Sequence, residues 1–404
     1  MLTLIALVTA FLAVVTLLPL WRNEHWLVRS MDFPRLQFLV LLVLLIAFQL
    51  LLLDLSDPAS VGLLAVALLC LVYQSWWIIP YSPLFPCEVK SCRVTDAERS
   101  IAIMTANVLA SNRNAAALLA LVRDSRPDIL VTLESDQWWQ AQLDSLEGDY
   151  PHSIKCPLDN LYGMHVYSRL PLSDCHTEFL VEDDKPSMHA LATLPSGCGV
   201  RLHFLHPAPP SPTENDSSSP RDAELIVVGK SVAEAPGPVI VTGDLNDVAW
   251  SETTRLFRKI SGLLDPRVGR GMFNSFHADY WFARWPLDHL FHSHHFTLAK
   301  MERLPSFGSD HFAIYTRLVF EADGDQQGNG LEAEQEDLAQ AREKIDQHDV
   351  TQADVPEPGG RALNPSVRYP LSGAGGTMDF RVPERIMCAE VNSAVIEPGR
   401  EGRG

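Results

Sequence analysis

Val239-Ile240-Val241-Thr242-Gly243-Asp244-Leu245-Asn246 is the stretch on which the reading of this chain turns. Its first four residues are all β-branched, the composition of a buried strand. The run stops at a glycine and then presents an acid and an amide, side chains that suit a turn and point polar groups past a strand end. The same signature recurs outward in both directions. A strand predicted over 101–104 is followed by Asn107, and one over 128–133 ends at Glu134. The run 200–205 ends at His206-Pro207, the short strand 287–291 contains Asp288, and the last strand, 312–320, follows Asp310-His311. A further strand is expected over 164–168. Between these runs, 114–124, 224–234 and 251–260 read as helices, with Leu118, Leu119 and Val122 on one face of the first. Alternation of this kind, with hairpin-like connections, predicts an α/β sandwich of two sheets covered by helices.

Asn107, Glu134, His206, Asp244, Asn246, Asp288, Asp310 and His311 therefore all fall within or just past the end of an apolar run. Strand ends in a rigid scaffold are where binding and catalytic groups collect. The set is rich in hard oxygen donors and needs no thiolate, so it suits Mg²⁺ or Mn²⁺ better than Zn²⁺. Each residue alone has a plainer explanation, as a turn former, a helix cap or a solvated acid. Their joint order suggests one pocket.

Composition divides the chain into three regimes. Hydrophobic residues make up 47% and charged residues 20%, with a net charge of -18. The net charge is -1 over residues 1–97, -8 over 98–320 and -9 over 321–404. No segment is strongly basic, which disfavours an electrostatically driven nucleic-acid binder, and seven cysteines do not make a disulfide framework. Residues 1–20, 36–53 and 61–79 are each long and apolar enough for a bilayer span, which takes about 20 residues. Trp21, Trp26, Trp76 and Trp77 stand at run ends, the interfacial position for an indole. Arg22, Arg29 and Arg35 lie in the first loop and two aspartates in the second, so the positive-inside rule puts the first loop and the following domain in the cytoplasm. Cys87 and Cys92 could instead close a small disulfide in an oxidising compartment. The expected organisation is a three-span region over 1–80, a stiff Pro-rich linker over 81–99, a catalytic domain over 100–320 and an acidic, mostly disordered tail over 321–404. Within that tail, 331–345 is rich in helix formers.

Thr105-Ala106-Asn107-Val108, Leu133-Glu134-Ser135, His206-Pro207, Gly243-Asp244-Leu245-Asn246, Leu287-Asp288-His289 and Ser309-Asp310-His311, in that order, resemble the endonuclease/exonuclease/phosphatase (DNase I-like) superfamily over roughly residues 100–320. The spans ahead of them make the chain look like a bacterial membrane-anchored member, multi-pass in the inner membrane. The resemblance implies a four-layer α/β/β/α sandwich and phosphodiester hydrolysis with Mg²⁺ or Mn²⁺. It makes Glu134 the main metal carboxylate, with Asn107 helping to hold metal and phosphate and Asp310 beside them. Asp244 becomes the acid next to the water or leaving oxygen, and Asn246 the amide that orients the phosphate. Asp310 and His311 become a pair in which the carboxylate fixes the imidazole. Asp288 supports a histidine or the metal, and His206 occupies a position that other members fill with tyrosine. The implied substrate is a phosphodiester of nucleic acid or of a phospholipid headgroup, and the implied partner is the lipid bilayer. A nuclease-like enzyme comes first, a lipid or small-molecule phosphodiesterase or phosphatase second, and a non-catalytic membrane scaffold third. Asp288 lies in Trp285-Pro286-Leu287-Asp288-His289, unlike the Cys-Asp-Arg context of inositol-polyphosphate 5-phosphatases. Arg267, Arg270, Arg284 and Arg303 could form a basic rim, Trp281, Phe282 and Trp285 are expected mainly as core, and 208–220 reads as an exposed loop beside the site.

Overall fold

The computed structural model describes residues 1–94, 96–321, 326 and 328–359. The Pro- and Gly-rich remainder of the expected tail, from residue 360, lies outside the described residues, as does Cys388. The chain opens with helices α1 (Leu2–Leu17), α2 (Trp26–Arg29), α3 (Arg35–Leu52) and α4 (Pro58–Ile78). Three stretches, Leu2–Leu20, Arg35–Leu52 and Pro58–Tyr81, are long and apolar enough to cross a membrane. Most of their large apolar side chains are exposed, whereas the polar ones turn toward one another. Gln49 donates to Thr9 (3.0 Å) and Gln74 to Thr16 (3.2 Å), hydrogen bonds of the kind that join helices in an apolar medium.

Eleven strands follow among the described residues: β1 (Ser100–Asn107), β2 (Ile129–Leu133), β3 (His152–Cys156), β4 (Met164–Ser168), β5 (Leu172–Glu178), β6 (Ser187–Thr193), β7 (Gly199–Leu205), β8 (Val239–Asp244), β9 (Asp288–His292), β10 (Phe296–Arg303) and β11 (Ile314–Phe320). Helices α5 (Ala115–Ser125), α6 (Gln137–Leu143), α7 (Ser219–Ala233), α8 (Glu252–Ser261) and α9 (Gln335–Asp346) complete the elements. One sheet runs β10-β11-β1-β2-β4-β3 and the other β5-β6-β7-β8-β9. Period-2 alternation assigns each strand's two faces. Ile101, Ile103, Val131, Leu202, Phe204 and Ile240 meet in the core between the sheets. Ala102, Met104 and Leu130 face outward onto Leu118, Val122 and Trp139 of α5 and α6. Val239 and Val241 face outward onto Leu225, Val228 and Phe257 of α7 and α8. The result is a four-layer α/β/β/α sandwich.

Two expectations about the flanks change. The linker does not stand off as a spacer. Tyr81 and Val89 are buried, Arg258 pairs with Glu88, and Leu298 donates its backbone N–H to the Lys90 carbonyl (2.9 Å). Cys87 and Cys92 are free thiols. Beyond β11, α9 docks on α7 and α8, burying Ala341 and Ile345 in their cluster. Lys344 donates to the fully buried Asp222 (2.7 Å), which Arg221 also grips (2.9 Å). Burial alone would raise the Asp222 pKa, but Lys344 and Arg221 outweigh it and hold the group well below the usual carboxylate range. This contribution is present above the ordinary carboxylate pKa and declines as pH falls below about 4. Lys344→Ala is expected to cost about 3 kcal/mol at pH 7, a drop in Tm of roughly 6 °C or more, with a smaller loss at pH 3. Thermal unfolding of the full chain in detergent at both pH values checks it.

Candidate active site

The site grows from the C-terminal ends of β1 and β8, interior strands of the two sheets. Along β1 the inward positions are Ile101, Ile103, Thr105 and Asn107; along β8 they are Ile240, Thr242 and Asp244. Both series turn from apolar to polar at the same end of the sandwich. Thr105 and Thr242 meet across the sheets (2.9 Å), and one pair further on Asn107 Nδ2 donates to Asp244 Oδ2 (3.1 Å). β2 runs parallel to β1, so its end delivers Glu134 to the same place, where Oε1 accepts from Asn107 Nδ2 (2.8 Å). β9 is antiparallel to β8 with Asp288 opposite Asp244, so it begins where β8 stops.

Turn geometry then aims the side chains. Glu134 (φ 57°) and Asn246 (φ 50°) both adopt left-handed backbone, a sparsely populated conformation that collects at functional sites. Gly243 (φ 152°) lies against the Leu205 carbonyl, which a Cβ would strike. Asn246 N–H donates to Asp244 Oδ1 (2.9 Å), and its side-chain amide to the Pro207 carbonyl (3.0 Å). Arg221 supports this turn from below through the Asn246 carbonyl (2.8 Å).

His311 is the centre of the arrangement. Its Nδ1 donates to Asp288 Oδ2 (2.8 Å), and its Nε2 lies 3.5 Å from Asp244 Oδ2. Burial would lower its pKa, but Asp288 and Asp244 push it up to about 10, so the ring is an imidazolium at neutral pH. The carboxylate that fixes the imidazole is therefore Asp288, not the adjacent Asp310. Asp310 is only half-buried; it faces Glu134 and His311 as a nearby charge without bonding the ring. Ser309 ties the segment to β1 through the Asn107 carbonyl (2.8 Å). His206 is buried against Tyr162, with ring centroids 5.0 Å apart. Burial pushes its pKa down to about 4, so it is neutral.

All eight sequence-derived residues lie at this end of the sandwich, but the rim around them differs from expectation. Arg267 is no rim residue: it is fully buried, paired with Asp265 (2.9 Å), and it bonds His289 under β9. Arg270 is used on the Val89 carbonyl (2.6 Å). Arg284 and Arg303 both lie over Phe312. Trp281 and Phe282 are not core, being 79% and 61% exposed. The loop over 208–220 is not free either, because Ser218 N–H donates to the Glu24 carbonyl (2.8 Å) and Trp26 N–H to the Asp216 carbonyl (2.9 Å). Tyr162 and Arg221 are missed by sequence reasoning. Arg221 was detectable as a cation beside an acid, Asp222, just ahead of the apolar run 225–228 of α7; Tyr162, in a loop after β3, carries no such signal.

The donor set fits a divalent cation. Glu134 Oε2 is shielded from water without a hydrogen-bond partner, and so is Asp288 Oδ1. Burial, only partly offset by Asn107, pushes the Glu134 pKa up to about 7. Asp244, Asp288 and His311 also place one ligand atom each within 4.8 Å of one another. In that trio His311 already bonds Asp288 Oδ2 (2.8 Å) and faces Asp244 Oδ2 (3.5 Å), which leaves Asp288 Oδ1 as its open oxygen. The open oxygen of Glu134, whose other oxygen accepts from Asn107 (2.8 Å), is a second position that could hold a cation.

A two-sheet sandwich carrying acids, amides and histidines at one end defines a DNase I-like fold. The family model of the Endonuclease/Exonuclease/phosphatase family matches residues 104–311, and the chain belongs to that family, whose members are generally hydrolytic phosphoesterases. Solved structures of similar fold include D. rerio TDP2 complexed with single strand DNA product (18% identity, 54% of this chain and 98% of that one, TM-score 0.46). Others are an endonuclease/exonuclease/phosphatase from Beutenbergia cavernae (16%, 55% and 72%, TM-score 0.46) and the human Nocturnin catalytic domain with bound sulfate (16%, 56% and 96%, TM-score 0.45). No curated protein matches the sequence.

Proposed function

We propose that this chain is a membrane-anchored, divalent-metal-dependent phosphoesterase that hydrolyses phosphodiesters, with its catalytic domain on the cytoplasmic face. The observation that carries the reading is the Asp288–His311–Asp244 chain beside the open Glu134 oxygen. Glu134, with Asn107 and Asp310, would hold Mg²⁺ or Mn²⁺, which would offset the charge of the phosphoryl oxygens. An anionic diester would otherwise be repelled by Glu134, Asp244, Asp288 and Asp310, which His311 offsets only in part. The remaining work falls to the side chains. His311, held by Asp288, donates a hydrogen bond and then a proton to the leaving oxygen. Asp244, fixed by the Asn246 and Asn107 amides, orients the attacking water. Asn107 and Asn246 supply neutral N–H donors that do not repel the phosphate.

The spans support anchoring through their length and their polar interhelix contacts. Two of the three arginines that suggest a cytoplasmic first loop pair with the catalytic domain: Arg22 and Arg29 with Glu252 (3.3 and 3.4 Å). The domain and that loop therefore share a side. The test is hydrolysis of bis-p-nitrophenyl phosphate by the full chain in detergent. Turnover is expected with Mg²⁺ or Mn²⁺, lost in EDTA and restored by adding the metal back. Turnover that persists undiminished in EDTA would contradict the metal requirement.

A further inference from the structure

We infer that the loop 276–285 rests in the headgroup layer of the bilayer, and that the site takes its phosphodiester from a membrane lipid. The substrate class rests on the phosphoesterase reading above.

Tyr280, Trp281 and Phe282 form an exposed aromatic tip, 52%, 79% and 61% accessible. Three consecutive large aromatics left in water are costly, and indole and phenol rings prefer the membrane–water interface. The tip's height relative to the bilayer is fixed by a contact. Gln37 Nε2 donates to the Phe282 carbonyl (2.9 Å). Gln37 lies two residues into α3, about 3 Å below the start of a candidate span at 1.5 Å rise per residue. Phe282 is thus level with the first turn of a span. At the loop's other side, Trp285 packs edge-on against Phe33 (5.8 Å) in a cluster that includes Leu36 and Leu39.

The same loop walls the active site. Phe276 packs on the His311 ring (4.9 Å between centroids), and Ala278 N–H donates to the Asp310 carbonyl (2.6 Å). The opposite wall, after His206, is pinned to the loop before α2 by the bonds of Asp216 and Ser218. The turn after Asn246 is fixed there too, since Trp250 Nε1 donates to the Asp32 carbonyl (2.8 Å). Both walls and the floor of the site are therefore fastened to the segment that joins the first two spans. A phosphate in the headgroup layer lies near this centre without leaving the membrane, whereas a long polynucleotide would have to thread between domain and bilayer. In the reaction, water's oxygen bonds to phosphorus and one P–O ester bond breaks. The departing alkoxide takes a proton from His311; of the water's two protons, one restores His311 and the other passes to solvent, leaving an alcohol and a phosphomonoester.

The full chain is reconstituted in phosphatidylcholine nanodiscs with and without brominated phosphatidylcholine, and the wild type is compared with Trp281→Phe. A bromolipid-quenched component present in the wild type and missing in the variant is expected; equal quenching overturns the placement of the tip. A second arm compares the wild type with Trp281→Asp/Phe282→Asp on vesicles of phosphatidylglycerol, phosphatidylethanolamine or sphingomyelin, on bis-p-nitrophenyl phosphate and on a short single-stranded DNA. The expected result is vesicle hydrolysis that falls about tenfold in the variant, with the soluble diester unchanged. Vesicle and soluble rates falling together, or hydrolysis of DNA without any vesicle lipid, overturns the lipid assignment. No turnover on any substrate removes the phosphoesterase reading and the substrate class with it, while the quenching arm still decides where the tip lies.

Discussion

His311→Ala is expected to lower kcat on bis-p-nitrophenyl phosphate by about a thousandfold, the middle of the range for a positioned acid–base group. The imidazole is held by Asp288 at 2.8 Å and faces Asp244 at 3.5 Å, so it is the positioned proton donor of the centre. The loss should sit in kcat rather than KM, because the proton moves only as the ester bond breaks. Asp288→Asn should also reduce kcat, through the ring rather than by touching substrate. Adding Asp288→Asn to His311→Ala should then cost little more than His311→Ala alone, since residues that act as a unit are not additive. Initial rates of the two single variants and the double variant check this. Multiplicative losses would place Asp288 in an independent role.

Glu134→Gln should change function and stability in opposite directions. It removes the carboxylate whose Oε2 is shielded and unpartnered, and so an open cation donor. Affinity for Mn²⁺ is expected to fall by about a hundredfold, with turnover falling alongside it at fixed metal. Without metal, the neutral amide relieves a buried charge beside Asp310 and Asp244, and Tm should hold or rise, by the equivalent of about 1 kcal/mol. Mn²⁺ titration followed by EPR and thermal unfolding in EDTA read the two effects separately. A variant that binds Mn²⁺ like the wild type would move the cation to the Asp244–Asp288–His311 cluster.

The site was legible because its residues end strands with a strong β-branched or apolar signal. Asn107 and Asp244 close the inward series of β1 and β8, and the switch from Ile and Thr to Asn and Asp is visible in one dimension. Partnerships were not legible. His311 follows Asp310 in the chain but bonds Asp288, 23 residues away, because β9 starts beside the end of β8. The strands missing from the sequence reading have weak patterns for physical reasons. β3, β5 and β10 are sheet edges with mixed, half-solvated sequences, and the buried β6 is built largely of small residues. The linker was taken for a spacer because of its prolines, and α9 for part of a tail because its stretch is charged. They dock through pairs such as Glu88–Arg258 and Asp222–Lys344, whose partners lie more than a hundred residues away. A fragment cut at residues 98–320 would lose both, so the full chain is the proper material for assay.

The most direct measurement is the initial rate of bis-p-nitrophenyl phosphate hydrolysis by the purified full chain and by Asp244→Ala/His311→Ala, each in Mg²⁺, Mn²⁺ and EDTA. Turnover by the wild type in either metal, absent in EDTA and absent in the double variant, is the predicted result. Turnover that survives the double substitution, or a wild type that neither binds metal nor cleaves any diester, would contradict the assignment of this centre.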